Sequence, residues 1–367
     1  MPNVLEIYDS GVIAPTALLL GAAQCEYLSR SGRIDYRLRR DSELTGRDIA
    51  WADTVILCRC TNRMGVAIAE AARKSGRRVA YVLDDDLFNV PAQIPIGGEY
   101  YNRPQVLKCV KRSIELADMI VTPSPVLKSK YGGVLMEEPA LNRDAPRVHG
   151  DGKIRICYAG TPDRDDQLQR LLPEVFKRLC AEYGDKLEVT FFGSRPPFVD
   201  ELGLKHIPYC ESYEEYMRIM RKCGFDIGLS PLMPTEFNRC KHYNKLIEYA
   251  SFGIVGIYSN VEPYTRAVVD GKNGLLCENT EEAWYRAIKR LIDAPALLKQ
   301  LREECVNEAR GRFAVETVAE DYYTGVCAYE RRKKALWVAP LYDITRLYVR
   351  LGRHIKGLML KIINYLR

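Results

Sequence analysis

The stretch NRCKHYNKLIEYASFG carries the residues of this chain best suited to binding a ligand. Its apolar periodicity predicts a helix from Lys241 to Phe252, closed by Gly253. Lys241, Lys245 and Glu248 are spaced four and three residues apart, so on this helix they share one face. Two cations on that face could bind a diphosphate, and the carboxylate could accept hydrogen bonds from ribose hydroxyls. A solvated Lys/Glu face is the alternative interpretation.

A second candidate segment is AGTPDRDDQ (159–167), which follows a strand-like run. Gly160 and Thr161 could offer backbone N–H groups to a phosphate where the chain enters a helix. Arg164 could add a charged contact. Alternatively, Thr161 is an ordinary N-cap followed by acidic residues in the first helical turn. The tight turn DGKNG (270–274) would fit a sheet-end loop near the same ligand.

Three adjacent aspartates end the strand-like run RVAYVL (78–83). A carboxylate at a strand's carboxyl end could orient an acceptor hydroxyl or take its proton, and we predict that Asp85 or Asp86 has this role. A solvated loop and a metal site are the alternatives, but no cluster of further ligands accompanies these residues. Ser10 and Gly11, after the first strand, could make close backbone contacts with a diphosphate.

Strand and helix patterns alternate along the chain, which indicates parallel βαβ units. Residues 138–152 lack periodicity and are rich in Pro, Asp and Gly, as expected of a linker. We therefore predict an α/β protein of two Rossmann-like, doubly wound domains with a deep interdomain cleft. The strand-like runs are residues 3–9, 54–58, 78–83, 118–123 and 133–137 before the linker, and 154–160, 187–193, 225–231 and 254–259 after it.

The second half resembles the C-terminal domain of family 4-like glycosyltransferases (glycosyl transferases group 1), which have the GT-B fold. Their pattern is a helix reading roughly K-L-x-E-Y, a strand, a loop rich in Glu and Pro, and D-G-x-N-G-L-L. Residues 245–249, 262–263 and 270–276 match it here, within a resemblance that covers about 153–312. The resemblance implies that Glu248 binds the nucleotide ribose and Lys245 the diphosphate. It also implies retention of anomeric configuration.

The chain departs from the family's common E-x7-E form, because Cys240 stands eight residues before Glu248. The carboxylate that often contacts the donor sugar is therefore missing at that position, and Glu236 could substitute from the preceding loop. This loss leaves open a non-catalytic binding subunit of a glycan-assembly complex. A nucleotide-sugar epimerase of the same fold is the other alternative.

Positive charge is concentrated at the C-terminus. The whole chain has a net charge of +6, whereas residues 331–367 sum to +9 and the rest to −3. Apolar residues recur every three or four positions from 344 to 366, which predicts an amphipathic helix lying in an anionic membrane surface. A helix that packs back on the N-terminal domain is the alternative. The predicted membrane residues are Trp337, Arg346, Arg350, Arg353, Lys356 and Lys361.

These features and the resemblance predict a metal-independent hexosyl- or deoxyhexosyltransferase, and the resemblance implies that it is a retaining one. It would move a sugar from a nucleoside-diphosphate donor to a membrane-linked glycan or lipid in cell-surface polysaccharide synthesis. We expect no cofactor, no nucleic-acid partner and no signal peptide or membrane span, with cytoplasmic, reduced cysteines and attachment to the inner face of the membrane. The predicted domains are 1–140 (acceptor), 153–312 (nucleotide sugar), 313–335 (crossover helix) and 336–367 (basic tail).

Overall fold

The computed structural model describes residues 1–9, 14–94, 97–328, 342–343 and 346–347. The chain divides into two compact units. The first comprises Met1–Phe88, Tyr100–Met136 and the described residues from Ala319 onward, and the second comprises Asn89–Glu99 and Glu137–Val318.

The first unit is built on a parallel sheet whose central strands are buried on both faces, as in other doubly wound sheets. Its strands are β1 (Asn3–Tyr8), β2 (Asp35–Arg40), β3 (Thr54–Cys58), β4 (Arg78–Val82), β5 (Met119–Thr122) and β6 (Val134–Leu135). They lie in the order β2-β1-β3-β4-β5-β6. The helices are α1 (Pro15–Ala17), α2 (Ala23–Arg30), α3 (Gly46–Trp51), α4 (Arg63–Lys74), α5 (Gly98–Tyr101), α6 (Pro104–Leu116) and α7 (Pro125–Tyr131).

The second unit repeats this architecture with a second parallel sheet. Its strands are β7 (Ile154–Gly160), β8 (Leu187–Gly193), β9 (Lys205–Pro208), β10 (Ile227–Ser230), β11 (Val255–Ser259) and β12 (Leu275–Cys277), in the order β12-β11-β10-β7-β8-β9. Its helices are α8 (Asp165–Leu171), α9 (Pro173–Tyr183), α10 (Phe198–Glu201), α11 (Tyr213–Cys223), α12 (Glu236–Arg239), α13 (Asn244–Phe252), α14 (Glu281–Asp293) and α15 (Pro295–Arg310). Helix α16 (Val315–Tyr322) follows at the boundary of the units.

The predicted α/β class with two doubly wound sheets is confirmed. The sequence pattern did not indicate β2, β9 and β12, which are all edge strands. Strands β2 (DYRLRR) and β9 (KHIP) have partly buried or exposed side chains and no apolar run. Strand β12 (LLC) is apolar but only three residues long. The twelve cysteines are all free thiols, as expected of reduced cysteine.

A carboxyl group is buried in the core of the first unit. Glu6 lies on β1, is fully buried, and accepts a hydrogen bond at Oε2 from the Tyr36 hydroxyl at 2.7 Å. Its Oε1 has no partner among the described residues. Gly21, in the π-helical turn Leu18–Ala22, leaves room for this carboxyl, because a Cβ there would lie 2.3 Å from Oε1. Burial raises the pKa of Glu6 to about 8, although the Tyr36 hydrogen bond opposes the shift.

We expect Glu6→Gln to stabilise the first unit, and increasingly so as the pH rises. The unfolded chain loses this proton near pH 4.5, whereas the folded chain keeps it to about pH 8. Wild-type stability therefore falls between these values, and the amide removes that loss, giving about 1–3 kcal/mol near pH 7. Urea unfolding at pH 5, 6.5 and 8 measures the effect. Glu115→Gln, at an exposed carboxylate of the same unit, is the control. A gain that does not depend on pH would contradict the account.

Candidate functional site

The order of the second sheet defines where a ligand can bind. The chain begins this sheet at β7, in the middle, and later places β10 on the other side of β7 from β8. Loops that leave the carboxyl ends of β7 and β10 run in opposite directions and open a crevice, which is the usual ligand site of such sheets. Residues 160–164 follow β7, and the segment that leads into α13 follows β10. These are the two segments that the sequence indicated.

Helix α13 presents the predicted lysine and glutamate together. The Lys245 ammonium lies 2.6 Å from Glu248 Oε1, which also accepts a hydrogen bond from the Tyr216 hydroxyl at 2.5 Å. Lys245 also donates to the Tyr216 oxygen at 3.1 Å. Burial raises the pKa of Cys157 on β7, and the charges of Lys245 and Glu248 act on this pKa in opposite directions.

One oxygen of this cluster remains available for a ligand. Among the described residues, both side-chain partners of Glu248 bind Oε1, and Oε2 has none. The Glu248 side chain is 11 % exposed, so this oxygen is held in place yet reachable. Burial and the nearby Glu248 charge raise the pKa of Tyr216 well above its ordinary value, which keeps the phenol a neutral donor. Tyr216 comes from α11 and was missed from the sequence.

The helix begins later than predicted, at Asn244 instead of Lys241. Lys241 therefore does not share the helical face of Lys245, and that prediction is wrong. Its ammonium instead lies 4.6 Å from the centre of the Phe237 ring. The preceding turn is held by His242, whose Nδ1 lies 2.8 Å from the Asn244 side-chain oxygen.

His242 is a buried cation at the start of α13. Its Nε2 lies 3.0 Å from a Glu137 oxygen, and its Nδ1 lies 3.8 Å from a Glu138 oxygen. Burial lowers the pKa of His242, but the bonds and charges of the two carboxylates outweigh burial and raise it to about 9. The imidazolium thus ties the start of the helix to the segment at the beginning of the second unit.

Two glycines, Gly160 and Gly193, end the neighbouring strands β7 and β8 in register. Gly193 has φ +85°, and a Cβ there would lie 2.3 Å from the Gly160 carbonyl oxygen. A Cβ at Gly160 would lie 2.5 Å from the Tyr158 hydroxyl. Thr161 precedes a 3-10 turn, Pro162–Arg164, and its side chain makes no cap hydrogen bond. The ordinary N-cap alternative therefore does not account for it.

Arg164 follows β7 and forms no ion pair with any residue that the structure describes. Other arginines of this unit are paired, for example Arg195 with Asp200 and Arg266 with Glu262. Burial raises the pKa of the Tyr264 phenol, the charge of Arg164 lowers this pKa, and the charge of Glu248 raises it. Tyr264 is buried, with its hydroxyl 2.5 Å from the Ser230 hydroxyl at the end of β10. Arg164 and Glu248 thus belong to one electrostatic neighbourhood.

The DGKNG turn does not lie at the ligand edge. It precedes β12, which runs parallel to β11, and so it sits at the amino ends of the strands. Asp270 Oδ1 accepts the Leu276 N–H, and Asn273 Nδ2 donates to the Ala267 carbonyl, so the turn is satisfied internally. The expectation that it lies near the ligand is wrong, because a parallel sheet carries its ligand loops at the opposite ends.

The carboxylate that the family pattern would place at position 240 has no replacement from Glu236. Cys240 is fully buried. Glu236 pairs with Arg239 at 3.0 Å on the outside of α12, and Arg239 also pairs with Glu262 at 3.2 Å. These groups form a surface network instead of a site at position 240.

The aspartates after β4 differ in their surroundings. Asp86 is 1 % exposed and accepts from Lys130 at 3.1 Å and from the Tyr131 hydroxyl at 2.6 Å, so both oxygens are used within the first unit. A role on an acceptor is contradicted by this burial, and Asp86 instead fixes the loop to α7. Asp85 is partly exposed and lies 3.7 Å from the Arg59 guanidinium.

Arg59 is a further residue of this edge that the sequence did not indicate. It follows β3 with φ +47°, a conformation that costs a non-glycine residue about 1–3 kcal/mol and is found mainly at functional sites. Its guanidinium lies 3.3 Å from Asp84 and donates to the Tyr101 hydroxyl at 3.1 Å. Burial disfavours the charge, but Asp84 compensates, and the net effect raises the pKa of Arg59.

Asp9 also lies at this edge, at the end of β1. Its Oδ2 accepts from the Thr61 N–H and hydroxyl at 2.9 and 3.0 Å, and burial raises its pKa. Ser10 and Gly11, which follow it, lie outside the described residues. Asp9 follows β1 and Arg59 follows β3, the two adjacent strands between which the strand order of this sheet reverses. Ligands of doubly wound sheets bind at this point, so Asp9 and Arg59 are the residues best placed for a second ligand.

The described residues of the C-terminal tail pack on the first unit. Tyr342 is 2 % exposed and directs its hydroxyl to Met64 Sδ at 3.6 Å. Asp343 accepts the Gly46 N–H at 2.9 Å, and Arg346 donates to the Ser42 carbonyl at 3.1 Å. The alternative of a tail that packs back therefore holds for these residues. The other predicted membrane residues, Trp337, Arg350, Arg353, Lys356 and Lys361, lie outside the described residues.

Within the part of the chain that the structure describes, no three His, Cys, Asp or Glu side chains lie close enough together to hold a metal ion. None of the helices that the structure describes has the length and apolar character needed to cross a bilayer.

Comparisons with known proteins agree with the geometry. Residues 153–294 match the family model described as Glycosyl transferases group 1, which confirms the resemblance predicted from the sequence over the second unit. No curated protein matches the chain.

Solved structures establish the GT-B fold for the chain. HepE from Anabaena, in a complex with UDP-glucose, has a TM-score of 0.62 at 12 % identity, covering 88 % of this chain and 99 % of that one. Sucrose-phosphate synthase from Thermosynechococcus elongatus has a TM-score of 0.63 at 14 % identity, covering 88 % of this chain and 98 % of that one. A candidate UDP-N-acetylglucosamine 2-epimerase from Listeria monocytogenes has a TM-score of 0.52 at 10 % identity, covering 88 % of this chain and 96 % of that one. At these identities, the likeness concerns the fold and not the substrate.

Proposed function

We propose that this protein is a retaining glycosyltransferase that takes a nucleoside-diphosphate sugar in its second unit. The sugar goes to a membrane-linked glycan or lipid held by the first unit, in the synthesis of a cell-surface polysaccharide. The observation that carries the proposal is the Lys245–Glu248–Tyr216 cluster, in which α13 supplies Lys245 and Glu248 and α11 supplies Tyr216, all within the family-matched segment.

The cluster offers the donor two kinds of contact: a hydrogen-bond acceptor for the ribose and a cation for the diphosphate. Oε2 of Glu248 accepts hydrogen bonds from the ribose hydroxyls, while Tyr216 and Lys245 hold the carboxylate in place. Lys245 has three N–H donors, of which two are used, so one can face the diphosphate. Arg164 has no ion-pair partner among the described residues and adds a second positive charge beside Gly160 and Thr161.

Leaving-group stabilisation is the chemistry that this arrangement supports. As the bond from the sugar to the diphosphate breaks, negative charge grows on the departing oxygens. Fixed cations in a partly buried crevice stabilise that charge more than water does. Asp85, in the first unit, orients the acceptor hydroxyl or takes its proton.

Activity is expected to survive excess EDTA, because Lys245 and Arg164 supply the positive charge at the diphosphate. The rate of nucleoside-diphosphate release, measured with and without EDTA after extensive dialysis, checks this. Complete loss that magnesium or manganese restores would contradict the proposal and would point to residues 84–86 as metal ligands.

Removal of residues 348–367 is expected to release the protein from anionic liposomes while nucleotide binding stays within about twofold. This truncation keeps Tyr342, Asp343 and Arg346, which pack on the first unit. It removes five cations, each worth about 1 kcal/mol near an acidic surface, together with most of the predicted apolar stripe. Liposome sedimentation measures binding. A truncated protein that still sediments, or a full chain that never does, would contradict membrane attachment.

The epimerase alternative is supported by the fold shared with the Listeria monocytogenes protein. The two functions differ in their products. A transferase releases nucleoside diphosphate and extends an acceptor, whereas an epimerase returns an isomer of the donor. Mass spectrometry and chromatography of products from a panel of donors separate them, and a binding subunit without activity would yield neither product.

A further inference from the structure

A cavity of about 460 Å³ lies at the base of the C-terminal tail, in the first unit. It is lined by Thr45 and Arg47 at the start of α3, and by Asp343, Arg346 and Leu347 of the tail. None of these residues belongs to the strand ends described above. The cavity therefore belongs neither to the donor cluster nor to the acceptor edge.

Its two arginines retain hydrogen-bonding capacity. Arg47 is exposed and makes no hydrogen bond or ion pair with the residues that the structure describes. Arg346 donates one N–H to the Ser42 carbonyl, and its buried Nε has no partner among the residues that the structure describes. Guanidinium groups carry five N–H donors in a planar fork that matches the oxygens of a phosphate.

The acidic groups at the cavity are largely engaged elsewhere. Asp343 Oδ1 accepts the Gly46 N–H at 2.9 Å and so caps the start of α3. Asp48 accepts from the Thr45 N–H and hydroxyl at 3.0 and 2.7 Å, and it also lies 3.6 Å from Arg37. The balance of charge at the cavity favours an anion.

The remaining wall is apolar and open. Leu347 is 60 % exposed beside Arg346, while Tyr342 anchors this turn in the core. An exposed leucine next to two guanidinium groups suits the boundary between lipid headgroups and acyl chains. The tail carries the chain's excess positive charge, so an acidic membrane is the partner that charge complementarity selects.

We propose that this cavity binds the phosphate of an acidic phospholipid headgroup. Arg47 and Arg346 hold the phosphate oxygens, and Leu347 enters the outer acyl region. The inference rests on the membrane attachment in the proposed function and deepens it, since it turns a diffuse charge attraction into a defined contact on the folded unit.

Arg47→Glu tests the site, because Arg47 is exposed and its replacement leaves the fold intact. Binding to vesicles of phosphatidylglycerol and phosphatidylcholine is measured by sedimentation at low salt. We expect the partition coefficient onto these vesicles to fall at least tenfold. One cation near the surface strengthens binding about fivefold, and replacing a positive by a negative charge has about twice that free-energy effect. The control is Arg30→Glu, an equal charge change at an exposed arginine. Arg30 precedes the amino end of β2 and Arg47 follows its carboxyl end, so the control lies at the opposite edge of the sheet.

Three outcomes would overturn the inference. An equal loss of vesicle binding in Arg47→Glu and Arg30→Glu would mean that binding depends only on the overall charge of the unit and not on the cavity. Displacement from vesicles by millimolar inorganic phosphate, at constant ionic strength, would mean that the cavity serves free phosphate. A wild-type protein that ignores acidic vesicles would refute membrane attachment as well. Nucleotide binding, measured in parallel, shows whether the transferase proposal survives that last result.

Discussion

Glu248→Gln is expected to weaken nucleoside-diphosphate binding about 10- to 100-fold and to reduce sugar transfer by at least as much. The carboxylate holds two donors on Oε1 and keeps Oε2 for the ligand. A hydrogen bond to a charged group contributes about 1.5–3 kcal/mol, which corresponds to this range. Calorimetric titration with the nucleoside diphosphate that wild-type binds best gives the affinity. Glu282→Gln, at an exposed carboxylate of α14 in the same unit, is the control.

The 2′- and 3′-deoxy nucleotides separate a ribose contact from a merely structural role. If Glu248 binds the ribose, wild-type discriminates against a deoxy ligand, and Glu248→Gln loses most of that discrimination. If the glutamate only orders Lys245 and Tyr216, the variant weakens ribose and deoxyribose ligands equally. Unchanged affinity for both would refute the ribose assignment outright.

Asp85→Asn is expected to lower the transfer rate about 10²- to 10⁴-fold while donor affinity stays unchanged. An amide cannot take a proton from an acceptor hydroxyl, and general-base contributions are of this size. The neighbouring Asp86→Asn is the matched control. It removes the charge that Lys130 and Tyr131 bind in a buried position, so it should cost about 1–3 kcal/mol of stability and leave the rate per folded molecule nearly unaltered.

Comparison of the two variants tests whether Asp85 acts in sugar transfer while Asp86 stabilises the fold. Single-turnover rates report the transfer step, and thermal unfolding reports the fold. A full rate with Asp85→Asn would remove Asp85 from the mechanism. A large rate loss with Asp86→Asn, at unchanged stability, would restore the role that the sequence suggested for it.

Local patterns were enough to predict most central strands and the core of α13. Runs such as TVILC and LEVTFFG are largely buried on both faces, so most of their residues are apolar and give a clear strand signal. The spacing of Lys245 and Glu248 also follows from the helical period alone. The start of α13 could not be predicted, because His242 is held out of the helix by Glu137 and Glu138, about a hundred residues earlier in the chain.

Long-range contacts explain the other differences at the site. Tyr216 reaches Glu248 from α11, and no spacing within either helix indicates this partner. Arg59 adopts a positive φ that only the surrounding carboxylates and Tyr101 make tolerable. Asp86 is buried on Lys130 and Tyr131 of α7, whereas Asp85 is partly exposed near Arg59, and this difference is a property of the packing. The position of the DGKNG turn depends on the direction of β12, an edge strand too short to recognise.

The central claim is that this chain transfers a sugar from a nucleoside diphosphate bound at the Lys245–Glu248–Tyr216 cluster. The most direct measurement incubates wild-type and Glu248→Gln protein with UDP-, GDP- and TDP-sugars and a membrane glycolipid extract, and then follows free nucleoside diphosphate and acceptor mass. The account predicts that one donor releases its diphosphate in step with a mass increase of one sugar on the acceptor, and that Glu248→Gln abolishes both signals. Conversion of a donor to its isomer without acceptor growth, or equal turnover by the variant, would contradict it.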